Sequence, residues 1–103
     1  MSSAGDVDRR QRAVRNQALF RQVNQRIEEL TARFTEPDEQ VGYVCECLDI
    51  TCLELISIPH DAYKQIRRHP TEFIVVPGHE DLTIEEVVDK ATRWLVVRII
   101  GTT

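Results

Sequence analysis

The chain places all three of its cysteines in one eight-residue window, Cys45-Glu46-Cys47-Leu48-Asp49-Ile50-Thr51-Cys52, set between two apolar runs. Nothing else in the sequence restricts the fold as tightly. Thiolates are strong zinc ligands, and three in a turn-sized window need one more donor to close a tetrahedron. The candidates are His60, His69 and His79. His79 follows Pro77-Gly78, a turn pair that stops a strand and can aim the imidazole back at a neighbouring hairpin. His60 lies eight residues beyond Cys52, along an outgoing strand and at a helix start, too far to fold back easily. His69 lies at a helix end, where a cation simply favours the dipole. The expected ligand set is therefore Cys45, Cys47, Cys52 and His79, holding one structural zinc per chain, although soft thiolates suit iron as well. C-x-C followed by four residues and a third cysteine is not a standard finger spacing. The competing reading is three buried small hydrophobes, which Glu46 and Asp49 oppose because polar residues inside the window read as a turn.

At 103 residues and 42% hydrophobic, the chain fits one small domain with an appendage. A core of that size profits from a staple, and the binding energy of a structural metal is folding energy when the unfolded chain has no site. An odd cysteine count would leave a thiol over in a disulfide framework, and the reducing cytosol disfavours disulfides. No run approaches the roughly 18 apolar residues of a membrane span. The N-terminus is polar and Arg-rich, with no stretch of signal-peptide type. The expectation is a cytoplasmic protein with no membrane partner.

The net charge of -4 is divided unevenly. Residues 1–35 hold seven arginines against four acids, whereas residues 36–103 hold six basic residues against thirteen acids. The acidic part argues against a nucleic-acid surface on the globular portion. The basic arm Arg9-Arg10-Gln11-Arg12 lacks interleaved aromatics to stack on bases and reads as a solvated helix face.

Met1–Gly5 reads as disordered, and Asp6 or Asp8 as the N-cap of a long helix running to about Phe34. Phe20, Val23, Ile27, Leu30 and Phe34 step by 3, 4, 3, 4, a heptad seam that extends back through Asn16 to Ala13. Val14, Ala18 and Leu19 widen the stripe, as in a helix that covers its own sheet. The unbroken spacing favours self-association, or docking on a partner protein, through residues 13–34, with Asn16 suited to fixing register.

Thr35–Gln40, with Pro37 and its acids, reads as a linker. The expected organisation is thus 1–35, an amphipathic helix with a basic arm, and 36–103, a small metal-binding α+β domain. In the latter, Val41–Cys45 and Cys52–Ile58 form a hairpin around the cysteine window, and the imperfect alternation of the second strand suggests cover on both faces. Pro59 opens a short helix with Tyr63 and Ile66 on one face, ended by His69-Pro70. Phe73–Val76 is a buried strand. Thr83 and Glu86 are spaced for a capping box. The β-branched Val87 and Val88 nonetheless favour Ile84–Val88 as a strand that turns at about Asp89–Arg93 into a last strand, Trp94–Ile100.

The segments Tyr43-Val44-Cys45-Glu46-Cys47, Cys52, Tyr63, Ile66-Arg67, Val76-Pro77-Gly78-His79-Glu80 and the closing strand together resemble a family of small, largely uncharacterised bacterial proteins with the pattern F-V-C-E-C, C, P-G-H-E. The run Asn16–Ile27 is similar to that family's N-terminal helix, so the resemblance covers most of the chain. It implies that His79 pairs with the cysteines and implies no activity; Tyr43 stands where phenylalanine is usual. From the residues alone, the expected function is a zinc-stabilised, non-catalytic interaction or regulatory module. The alternatives are a thiol-based redox sensor and a metal-dependent enzyme, for which Glu80 is the only obvious base.

Overall fold

A computed structural model describes residues 3–100, with side chains from Asp8 onward. In chain order the elements are α1 (Ser3–Thr31), β1 (Gln40–Val44), β2 (Leu55–Pro59), α2 (His60–Ile66), β3 (Glu72–Val75), β4 (Glu85–Lys90) and β5 (Leu95–Ile99). The fold is α+β: a long helix, two small antiparallel sheets and a short helix.

α1 is rich in Arg, Gln, Glu, Ala and Leu, which lose little rotamer freedom in a helix, and it contains no proline. It begins earlier than the sequence suggests. Ser3, Ala4 and Gly5 are helical, so Asp6 and Asp8 lie inside the helix and do not cap it, while Met1 and Ser2 fall outside the described residues. The helix ends at Thr31, whose hydroxyl donates back to the Ile27 carbonyl at 2.8 Å. A turn closed by Phe34 N–H on the Thr31 carbonyl follows.

β1 and β2 form a two-stranded sheet with Tyr43 opposite Ile56 and Val41 opposite Ile58. Tyr43, Ile56 and Ile58 face the core, whereas Leu55 is exposed. β2 is therefore covered on one face only, contrary to the two-sided cover suggested by its pattern. It also starts three residues later than expected, because Cys52–Glu54 belong to the loop that holds the cysteine window. β3, β5 and β4 form the second sheet in that order, all antiparallel, with a bulge between Val87 and Asp89. The strand reading holds for Glu85–Lys90, which starts one residue later and ends two residues later than the expected Ile84–Val88. Thr83 serves in a turn, its N–H and hydroxyl both donating to the Asp81 carboxylate.

One core joins the sheets: Tyr43, Ile56 and Ile58 from the first, Phe73, Ile74, Val75, Leu95 and Val97 from the second, with Tyr63 of α2 stacked on Tyr43 at 4.1 Å. Cys45 and Cys47 are buried within it.

α1 meets this body differently from the expected seam. Phe20 is buried and Ile27 packs against the core, but Val23, Leu30 and Phe34 are 42%, 58% and 82% exposed. The buried stripe is polar: Gln17, Arg21, Asn24 and Glu28, stepping by 4, 3, 4 beside the apolar one.

Candidate metal centre

Cys45 follows β1 directly, and its N–H continues the ladder to the Glu54 carbonyl at 2.9 Å. The loop then turns on Asp49, whose carboxylate accepts the Thr51 N–H and hydroxyl at 2.9 and 2.7 Å, while its carbonyl accepts the Cys52 N–H at 3.0 Å. This fold-back returns the third thiol to the first two. His79 arrives from the other sheet. Past β3 the chain makes a turn with Pro77 and Gly78 at its centre, closed by His79 N–H on the Val76 carbonyl at 2.8 Å. Gly78 has φ +100, the left-handed value that the third position of a Pro-Gly turn demands.

The four expected residues come together. Their ligand atoms all lie within 4.8 Å of one another. His79 Nδ1 is 3.7 Å from Cys45 Sγ and 3.6 Å from Cys52 Sγ. A zinc tetrahedron with sulfur at about 2.3 Å and nitrogen at about 2.0 Å has edges of roughly 3.5–3.8 Å, and the two distances from His79 Nδ1 to sulfur fall in that range. His60 and His69 are elsewhere: the first is buried at the start of α2 and the second is exposed beyond its end.

The surroundings treat the three thiols unequally. Val76 N–H donates to Cys45 Sγ at 3.2 Å. Hydrogen bonding by the Cys45 thiol lowers Cys47 to about 5. Cys45 is pushed up, first by that same bond to Cys47 and then by burial, and burial raises Cys52. Three adjacent anions repel one another, and a dication relieves that repulsion. The other imidazole nitrogen, Nε2, lies 3.1 Å from the Glu54 carboxylate, which fixes the ring with Nδ1 facing the sulfurs. Glu80, the base candidate, has one carboxylate oxygen accepting the Gly78 N–H at 2.7 Å, which braces the turn.

Two carboxylates here escaped the sequence reading. Glu54 carries no local signal, because its role depends on where a distant loop lands. Glu46 did carry one. It reads as a turn residue but is 0% exposed. When Cys45 and Cys47 face one side, the residue between them must face the other, and here that side is interior. Its carboxylate accepts two bonds from Arg21 at 3.1 and 3.2 Å, one from Asn24 at 2.9 Å, one from the Tyr63 hydroxyl at 2.6 Å and one from the Ile74 N–H at 2.9 Å. The polar 4, 3, 4 stripe of α1 was the matching signal.

Among the described residues no helix is long and apolar enough to cross a membrane. Compared with protein-family models, with curated proteins and with solved structures, the chain matches none, and the functional reading therefore rests on the geometry of the four ligand side chains.

Proposed function

We propose that the chain is a non-catalytic interaction module stapled by one structural zinc at Cys45, Cys47, Cys52 and His79. The observation that carries this reading is the convergence of three free thiols and an imidazole nitrogen within 4.8 Å of one another. Four protein donors complete zinc's preferred coordination and leave no position for a reactive water. Zinc is favoured over ferrous iron by its greater affinity for such donor sets. The likeness to small bacterial proteins of the F-V-C-E-C pattern belongs to the same proposal, as does a cytoplasmic setting, where the thiols stay reduced.

The associating surface in this reading is the outer side of α1, where Leu19, Val23 and Leu30 are exposed with Phe34 just beyond the helix. Its occupant is a second copy of the same helix, because the residues step by 4, 7 and 4, spacings that return to one helix face. A redox role is the second reading, favoured by Cys52, half-buried beside the ionised Cys47.

The test is zinc content per chain, measured on untagged protein. Wild type, His60→Ala and His69→Ala should hold one zinc each, and Cys47→Ser and His79→Ala should hold none. Zinc retained in His79→Ala would refute the ligand set.

A further inference from the structure

We propose that metal occupancy and docking of α1 form one linked equilibrium, joined through Glu46, in which release of the metal frees α1 while β3, β4 and β5 stay folded. The inference rests on reading the cysteine cluster as a metal centre.

The joint is the C-x-C segment. Cys45 and Cys47 face the ligand cluster, so Glu46 between them is driven into the seam where α1, α2 and β3 meet. Three of the four polar residues that α1 buries end on this segment. Arg21 and Asn24 bond the Glu46 carboxylate, and Gln17 donates to the Glu46 carbonyl at 3.1 Å. Asn24 also pairs with Val44, donating to its carbonyl at 2.7 Å and accepting its N–H at 2.8 Å, so the residue just before Cys45 is held by the same helix. Other polar contacts of α1 are Arg10 to the Ile100 carbonyl, Gln17 to Glu85, Glu28 to Arg67, and Arg21 to the Glu72 carbonyl and the Phe73 ring.

A metal fixes residues 45 and 47, and with them the direction of Glu46. Without it the loop regains its freedom and the carboxylate regains water. Arg21 would then be buried with its charge unpaired, and Gln17 and Asn24 would each lose a hydrogen bond, a state more costly than leaving the interface. α1 has little apolar contact to resist this, since of its seam only Phe20 and Ile27 reach the core. The second sheet has its own ladders and the buried Phe73, Ile74, Val75, Leu95 and Val97. Linkage is reciprocal, so weakening α1 docking must weaken metal binding by the same factor.

The experiment is amide hydrogen exchange on the full chain, zinc-loaded and after chelation, held below the unfolding midpoint of the zinc-free form. Amides of residues 13–31 should exchange on the order of 100-fold faster after chelation, with those of β3 and β5 changing by less than about 10-fold. In competition with a chromophoric chelator, Arg21→Gln should bind zinc between about 5- and 150-fold more weakly. Asn24→Ala gives the same readout should Arg21→Gln fail to fold. Gln22→Ala, on the exposed side of α1, should bind as wild type does. Val97→Ala, which weakens the second sheet, should lower the melting temperature without that loss of affinity. Three results would each overturn the linkage: zinc bound normally with α1 equally protected in both states, simultaneous loss of protection in α1 and the second sheet, or wild-type affinity in the α1 variants. A reduced chain that binds no zinc would overturn the metal centre itself, a distinct failure.

Discussion

Glu54 holds the imidazole of His79 by a single contact, and a carboxylate in that position orients a metal ligand without touching the metal. Glu54→Gln should weaken zinc binding by about 10–100-fold with the fold retained, since the side chain is largely exposed. A competition titration alongside a far-UV spectrum checks both halves. The thiols predict a pH dependence of definite sign. Cys47, lowered to about 5, is already ionised at neutral pH, whereas Cys45 and Cys52 are raised and keep their protons. Zinc must displace those two protons, so its affinity rises with pH, by roughly 100-fold per unit between about pH 6 and 8. Calorimetry in buffers of different ionisation enthalpy counts the protons directly, and a slope near zero would mean that the thiols are already ionised. At Gly78 an added Cβ meets no atom, but φ is +100. Gly78→Ala should therefore cost about 1–2 kcal/mol through backbone strain alone.

The elements show what was legible and what was not. The cysteine window and the Pro77-Gly78 turn each declare a local geometry, so the hairpin, the fold-back and the approach of His79 could all be read along the chain. β4 and β5 could be read because β-branched residues outweighed a capping-box pattern. The docking face of α1 could not, because hydrophobic periodicity assumes that a helix buries its apolar side. α1 instead buries Gln17, Arg21, Asn24 and Glu28, whose partners are up to 68 residues away. A buried charge needs a partner, and Arg21 and Glu28 find theirs in Glu46 and Arg67, a tertiary arrangement no local window contains. The apolar residues left outside bear on association. Leu30→Asp puts a charge on the exposed side without touching the Glu46 contacts. It should convert a self-associated chain to monomer while zinc stays bound at one per chain, as sedimentation and elemental analysis together would show. Wild type sedimenting as a monomer at high concentration would remove the basis for self-pairing.

At the scale of the whole molecule, the two sheets and α2 form a body to which α1 is attached lengthwise. Removing the metal should lower the thermal midpoint markedly, because Cys45 and Cys47 sit in the shared core and their loop ties one sheet to the other. The molecule extends 51 × 23 × 23 Å, and a helix of 29 residues is about 43 Å long, so α1 can only lie along the long axis. Its N–H bonds are nearly parallel to that axis, and a rod reorients slowly end over end but quickly about its length. Backbone nitrogen relaxation should therefore sort the docked chain by direction, with α1 amides showing the highest ratio of transverse to longitudinal rates. A freed helix would tumble on its own and lose that signature, so rotational diffusion alone reports whether α1 is docked.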